Sequence, residues 1–243
     1  MTEDRQNSSP KPTISVIIPA YQHARELPAC LQSIFAQTRQ DFEVIVVNDG
    51  STDGTEEILG PYMERIDYVS QENRGGNAAR NRGFERSRGR LVLFCDADIV
   101  MRPDCLERMA KTLADNPEAS YAYCSFRYGW KKFRFWPFDA DRLRQLNYIH
   151  TTSLIRREHF PGFDESVRRL QDWDLWLTML ERGHRGVWIP EYLFRAIPHK
   201  GGISTWLPGI VYRLPWRRFG LRLGPVEKFQ AAERIIKKKH GLK

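Results

Sequence analysis

No stretch of the 243 residues approaches the ~20 consecutive apolar side chains that a membrane-spanning helix needs. Residues Met1 to Lys11 are polar and carry no apolar signal region, so the chain is expected to act in the cytoplasm. Cysteine is scarce, and Cys30, Cys95, Cys105 and Cys124 show neither CxxC spacing nor a histidine ladder. A disulfide scaffold or a zinc site of familiar spacing is thereby excluded, and buried, reduced thiols are expected. Internal repeats and low-complexity tracts are missing as well. At 41% hydrophobic and 28% charged, the composition excludes a disordered chain.

Most of the chain also lacks any excess of one charge. Residues 206–243 hold ten Lys/Arg against two acids, which is the whole net charge of +8. The remainder carries 28 basic and 28 acidic side chains. A neutral body with a basic tail argues against nucleic acid as a partner of the fold.

What is present begins with Thr13 to Pro19, a β-branched run without alternation, as in a strand buried on both faces. Leu27, Leu31, Ile34 and Phe35 fall at helical spacing and predict a helix from about Glu26 to Gln37. Phe42 to Val47 is a second buried strand. Asp53 and Glu56 then resemble a capping box opening a helix through Tyr62. Tyr68 and Val69 mark a short strand, Asn77 to Arg86 a helix and Leu91 to Phe94 a fourth strand.

Strands alternating with helices predict an α/β protein built on a doubly wound, mostly parallel central sheet flanked by helices. Beyond it, Pro103 to Asn116 and Asp172 to Arg182 read as helices. Tyr121 to Phe126, Thr152 to Arg156 and Gly186 to Ile189 read as strands. Trp130 to Phe138 is basic and aromatic with no clear period.

Ligands of such sheets sit beyond the carboxyl ends of the strands. Polar clusters follow three of them: Ala20-Tyr21-Gln22, Asn48-Asp49-Gly50-Ser51 and Asp96-Ala97-Asp98. Two carboxylates one residue apart can meet Mg²⁺ or Mn²⁺ together with substrate phosphates. As a lone tripeptide, Asp96-Ala97-Asp98 reads more simply as a solvated acidic turn. Asp49 can accept from a base N–H, such as N3–H of uracil, and Tyr21 can stack on the base, although packing alone would explain a tyrosine there. Pro19 and Ala20, closing the first strand, join this donor-binding set.

These motifs stand in SVIIPAYQHARELPACLQSIFAQTRQDFEVIVVNDGSTDGT, ENRGGNAARNRGFERSRGRLVLFCDADIVMRPDCL and GFDESVRRLQDWDLWL. In order and spacing the chain resembles the inverting family 2 glycosyltransferases with the GT-A fold, over roughly residues 13 to 205. The resemblance implies a Rossmann-like nucleotide-sugar-binding domain there, between a disordered segment 1–12 and a basic aromatic extension 206–243. It matches Tyr21 and Asp49 to the base-binding positions. Asp96 and Asp98 match the DxD metal pair, Asp98 being the better direct ligand. Asp172 matches the general base that deprotonates the acceptor, and His199 a histidine near diphosphate and metal, where a purely structural histidine is the rival reading. Asp164 and Asp174 are expected to be structural.

Two positions depart from the pattern. Asn48 stands where many members carry aspartate, and Gln171 where a glutamate usually precedes the base. The Gln/Arg-xx-Arg-Trp motif of processive synthases is absent. The implied reaction moves a hexosyl or N-acetylhexosaminyl group from a nucleotide sugar, UDP-sugar favoured, to a saccharide or lipid-linked saccharide of a surface-polysaccharide pathway. It needs a divalent cation, Mn²⁺ or Mg²⁺. At the opening of its helix, Asp172 is expected to be favoured in its ionised form by the helix dipole.

Two rivals share the fold pattern. A nucleotidyltransferase making nucleotide sugars would show a glycine-rich basic loop, which PAYQHARELP is not. A non-catalytic nucleotide-sugar-binding module would not need Asp49, Asp96, Asp98 and Asp172 together. The basic-aromatic segments 128–138 and 206–243 suit the surface of an anionic membrane, which implies a peripheral enzyme on its cytoplasmic face; aromatics packed on the domain are the plainer alternative.

Overall fold

The structure, a computed structural model, describes residues 12–198 and 224–242. The expected disordered segment up to Lys11, His199 and the tail residues 206–223 lie outside the described residues.

Two runs start the fold because they are apolar on both faces. Strands β1 (Ile14–Ala20) and β2 (Phe42–Asp49) are buried almost throughout. They pair in parallel from Ile14 opposite Phe42 to Ala20 opposite Asn48. Helix α1 (Leu27–Phe35) connects them and buries Leu27, Cys30, Leu31 and Ile34. Strand β3 (Asp67–Gln71) extends the sheet beyond β2, and β4 (Leu91–Phe94) pairs with the other side of β1.

Between β2 and β3, helix α2 (Thr55–Leu59) gives way at Pro61 to a 3₁₀ turn, Gly60–Arg65. The expected capping box does not form. The N-cap is Gly54 in the left-handed region, while Asp53 accepts from Thr55 N at 3.2 Å and from Ala24 N at 2.9 Å. Asp53 thus ties two loops together instead of capping a helix.

Helix α3 (Gly76–Arg86) crosses from β3 to β4. Its Gly83 lies against Ile17 and Val47, close enough that a methyl group there would collide with Ile17. The glycine sets how near α3 approaches the sheet.

The second half adds β5 (Ile99–Met101), α4 (Cys105–Asp115), β6 (Tyr121–Tyr128), β7 (Lys131–Phe133), α5 (Ala140–Gln145), β8 (Leu154–Arg156), α6 (Gln171–Glu181) and β9 (Gly186–Ala196). Among the described residues nine strands form one sheet in the order β3-β2-β1-β4-β8-β6-β9-β5, with β7 on β6. Strands β5, β7 and β8 run against the other six, so the sheet is mostly parallel, as expected.

Strand β9 outruns its expected end at Ile189. Pro190 reads as a stop, but the register slips between Cys124/Ile189 and Ser125/Tyr192, and this irregularity absorbs the proline. The basic-aromatic stretch becomes a β6–β7 hairpin whose Phe133 and Phe135 pack on Phe126, leaving Trp130 88% exposed near the tip.

A last helix, α7 (Gly224–Lys239), buries Ile236 and docks on α6. Lys239 Nζ meets Asp164 and Asp174 at 2.7 Å each, and His240 bridges Asp174 and Glu181. All four cysteines are buried and free. Among the described residues no helix is long and apolar enough to cross a membrane.

Replacing Gly83 by valine should force α3 off the sheet and cost about 1–3 kcal/mol, the usual range for overpacking. A urea titration would show it as a lower midpoint at unchanged slope; an unchanged midpoint would mean that the contact yields freely.

Candidate active site

The carboxyl ends of β1, β2 and β4 deliver their polar clusters to one edge of the sheet. Cys95 N still bonds Ile17 O at 2.8 Å, so Asp96 emerges where the parallel ladder stops. Beside it, Tyr21 is 47% exposed, a free face at the end of β1. Ala20 and Ala97 are buried in the core, which leaves them only backbone groups to offer a ligand.

The β1 and β2 loops are locked to each other. Gln22, at φ 59°, donates its backbone N–H to Ser51 Oγ at 3.1 Å and its side-chain amide to Thr52 Oγ1 at 2.9 Å. Buried Asn48 uses both ends of its amide: Nδ2 donates to Tyr68 Oη, and Oδ1 accepts from Ser51 N. An aspartate could accept from both neighbours but donate to neither, so the asparagine here is a connector.

Asp49 is buried, and three protein donors already reach it. Oδ1 accepts from Gln71 Nε2 at 2.8 Å and Arg74 N at 2.9 Å, and Oδ2 accepts from Gly75 N at 2.8 Å. Its carboxylate therefore shapes the loop between β3 and α3. A carboxylate has about four acceptor positions, so Oδ2 retains room for one more donor, such as a base N–H. Gly75 takes φ 95°, a conformation that side chains resist, and a Cβ there would also meet Arg168 Nη1 at 2.6 Å. Arg74, Gly75, Gly76, Asn77, Glu165, Val167, Arg168 and Gln171 line a cleft of about 110 Å³ between the starts of α3 and α6.

Asp96 and Asp98 differ in what surrounds them. Burial alone would raise Asp96, but Arg80, whose Nη2 donates to Oδ1 at 2.7 Å, holds it below the usual carboxylate range, helped by His150 and His23. Burial and the Asp96 charge push Asp98 up to about 7, with His23 opposing. The pair carries more negative charge than its surroundings balance, and a divalent cation would supply what is missing. Among the described residues no group of three His, Cys, Asp or Glu side chains gathers to hold a metal ion. Two carboxylates with substrate oxygens and water are a set that Mg²⁺ and Mn²⁺ accept, so the residues present fit such an ion.

Asp172 is the second residue of α6, behind an N-cap, Leu170, at φ 57°. Its Oδ1 accepts from Asn147 Nδ2 at 2.9 Å and Trp173 N at 3.0 Å. The expectation that the helix start would favour ionised Asp172 is corrected here: that help is present but outweighed. Burial is the largest influence and raises the Asp172 pKa; Asp96 adds to the rise, while His150, Asn147 and Trp173 N oppose it. His150 is packed between Phe126 and Phe194 and accepts from Thr152 N at 3.0 Å. Burial depresses its pKa against the pull of Asp96 and Asp172. Asp96, His150 and Asp172 thus feel one another's charge, and Asp98 feels that of Asp96, although β4, the segment before β8 and α6 supply them separately. Asp164 and Asp174 face away to Lys239.

Asn147 and His150 are the site residues that sequence patterns miss; Arg80 reads in the sequence as an arginine near the start of α3 that could approach phosphate or sugar or stay solvated, and the structure pairs it with Asp96 instead. A polar Asn147 and His150 just ahead of a buried strand, in NYIHTTSLIRR, is the one signal that marks the missed two.

Comparisons with known proteins speak to the family and the fold. Residues 15–170 match the family model described as glycosyl transferase family 2. TuaG of Bacillus subtilis, a glycosyltransferase by name assigned to teichuronic acid biosynthesis, is 30% identical over 214 residues, covering 81% of this chain and 84% of TuaG. EpsH of Bacillus subtilis, a glycosyltransferase by name, is 35% identical over 118 residues. The match takes in only 34% of EpsH, and 15% of GlyA of Streptococcus pneumoniae, which is 42% identical over 105 residues.

Among solved structures, S. aureus TarS 1-349 in complex with UDP-GlcNAc superposes with a TM-score of 0.67 at 21% identity, covering 83% of this chain and 64% of that one. The mannosyltransferase PcManGT from Pyrobaculum calidifontis, in complex with GDP-Man and Mn²⁺, gives 0.65 at 22% identity, covering 94% and 70%. Both likenesses speak to the fold, which is GT-A.

The raised Asp98 pKa has a thermodynamic consequence. With a folded value of about 7 against 3.8 for the free side chain, ionised Asp98 costs stability increasingly as pH rises between those values. In metal-free protein at pH 8, Asp98→Asn should raise the melting temperature by about 2–4 °C, the shift that ~1 kcal/mol produces in a chain of this size. The gain should vanish near pH 4. An equal gain at both pH values, measured by calorimetry, would contradict the electrostatic origin. With its family model matched over most of its length and its sheet that of GT-A enzymes, this chain belongs to glycosyl transferase family 2.

Proposed function

We propose that the chain is an inverting, metal-dependent glycosyltransferase. It moves a hexosyl or N-acetylhexosaminyl group from a nucleotide sugar, UDP-sugar favoured, to a hydroxyl of a saccharide or lipid-linked saccharide in surface-polysaccharide synthesis. One observation carries the reading: Asp96, at the end of β4, and Asp172, at the start of α6, lie within each other's electrostatic reach. The carboxylates suited to the diphosphate end of a donor and the carboxylate suited to a proton thus share one site. Family membership, the UDP-GlcNAc bound by TarS and the biosynthetic role in TuaG's name support the choice of donor and pathway.

In this reading Tyr21 stacks on the base, while the free acceptor position of Asp49 takes its N–H. Asp98 and Asp96 hold Mn²⁺ or Mg²⁺; the proposed third ligand, His199, lies outside the described residues. When bound, the cation offsets the charge of the diphosphate. Asp172 takes the proton of the acceptor hydroxyl as its oxygen forms a bond to the anomeric carbon. The bond to the diphosphate breaks on the opposite face, and the centre inverts. Burial suits the task, because a carboxylate raised above its ordinary pKa is a stronger base.

We also place the enzyme at an anionic membrane surface. Trp130 is 88% exposed beside Lys131 and Lys132 at the end of a stiff hairpin, and each cation near such a surface is worth about 1 kcal/mol. Lys239 is spent on Asp164 and Asp174 and contributes less.

Asp172→Asn keeps size and loses the basic oxygen. Turnover should fall by roughly 10²-fold or more with donor affinity unchanged, and near-normal turnover across pH would reassign the base. Wild-type turnover should also fall as pH drops through the raised Asp172 pKa, at a higher pH than an ordinary carboxylate gives. EDTA should abolish activity and Mn²⁺ restore it. For the membrane, Trp130→Ser combined with Lys131→Glu and Lys132→Glu should reduce co-sedimentation with anionic vesicles. Salt-insensitive and equal sedimentation of both proteins would remove the hairpin from the interface. Truncation at Thr205 is the poorer test, since it deletes α7 from the back of α6.

A further inference from the structure

Asp172 receives both of its hydrogen bonds on one oxygen. Asn147 Nδ2 and Trp173 N reach Oδ1, and among the described residues no donor reaches Oδ2. A carboxylate oxygen holding two donors has spent its lone pairs, whereas its twin keeps both. The inequality is built by the segment between α5 and β8, which two indoles fasten to α6. Trp173 Nε1 donates to Leu143 O at 2.7 Å, and Trp176 Nε1 donates to Ile149 O at 2.9 Å. Tyr148 and Ile149 are buried between these points. Asn147 is therefore presented to Asp172 by a clamped backbone rather than by a free loop.

The other end of the same amide points to its purpose. Asn147 Oδ1 is buried without a partner among the described residues. An unsatisfied buried carbonyl is costly, and a leucine of similar shape would avoid the cost. What an asparagine offers here, and leucine does not, is the donor to Asp172.

We propose that Asn147 is a positioning residue that reserves Oδ2 of Asp172 for proton transfer. This rests on Asp172 being the base. As the acceptor O–H bond breaks, its proton passes to Oδ2 and the oxygen's electron pair forms the new bond to the anomeric carbon, while the bond to the diphosphate breaks. Asn147 stays bonded to Oδ1 throughout and keeps the carboxylate from turning. Besides Asn147, the groups that act on Asp172 are His150 from the segment before β8 and Asp96 from the end of β4. Both remain in place when Asn147 is changed.

The test is Asn147→Leu in the full chain, which keeps the branched shape and removes the donor; Asn147→Ala carries the same test if the bulkier leucine variant does not fold. Two readouts are taken. One is the titration of the Asp172 carboxyl by ¹³C NMR in metal-free protein. The other is UDP release from UDP-N-acetylglucosamine with Mn²⁺. Loss of a hydrogen bond that favours the ionised form should raise the Asp172 pKa by about half a unit or more. Turnover should drop about 10- to 100-fold, as for a hydrogen bond to a charged group, with the donor KM unchanged.

An unmoved Asp172 titration overturns the proposal whatever the rate does, because a purely structural asparagine would leave it in place. Unchanged turnover in an enzyme that Asp172→Asn inactivates also overturns it and leaves the base assignment standing. Normal turnover in Asp172→Asn would instead remove the base assignment on which the proposal rests.

Discussion

Arg80 leaves α3 and meets Asp96 at 2.7 Å while itself almost wholly buried. Three carboxylates, Asp96, Asp98 and Asp172, lie where the charge on Asp96 raises the cost of ionising each of the other two. Without a fixed guanidinium, Asp96 would be raised by its burial as the other two are. With it, Asp96 stays charged and the strain moves to Asp98 and Asp172. One arginine thus sets like residues in different states. A carboxylate held in its ionised form sits near two whose ionised forms are disfavoured.

The pair depends in turn on how α3 is seated. Gly83 lets the helix lie close to β1 and β2, and Asn77 and Asn81 fasten its outer side to the backbone at Phe163, Asp164 and Val167. The loop before α3 is held by Asp49, which spends two acceptor positions on it and a third on Gln71 at the end of β3. The donor side of the site is therefore one hydrogen-bonded piece running from β2 through α3 to the approach of α6. A residue expected to read a base is also the one that fixes the loop beneath it. The two uses are compatible because a carboxylate can serve four donors.

Strands β1, β2 and β4 were legible in the sequence because burial on both faces leaves an unbroken β-branched run, and α4 because its apolar residues repeat at helical spacing. The order β, α, β, α, β, α, β then placed Tyr21, Asp49 and Asp96 at one edge. Three-residue strands such as β5 and β7 carry too few positions for any period. β9 was cut short at Pro190 because the irregularity that accommodates a proline belongs to its partner as much as to itself. Within the site, residue types were legible and their environments were not. Arg80 reads as one more cation on a polar helix, and its burial against Asp96 is a property of two elements packed together. The dipole argument for Asp172 named a smaller influence and missed the larger one for the same reason, since the helix start is local and the desolvation comes from tertiary packing.

Asp172 and Asp174 show how α6 serves both sides of the molecule. Two residues along a helix turn by about 200°, so the two carboxylates face nearly opposite ways. Asp172 faces Asn147 and the site, and Asp174 faces Lys239 and His240 of the C-terminal segment. On the back, His240 gains more from Asp174 and Glu181 than burial takes away, and its pKa rises. On the front, burial wins and Asp172 rises too. The difference lies in the partners. A buried cation is matched by anions on one side, while on the other a buried anion has, among the described residues, hydrogen-bond donors and a histidine whose own charge is disfavoured. The ion pairs behind α6 hold the helix in place while an imperfectly compensated carboxylate persists in front of it, the state that the proposed role of Asp172 calls for.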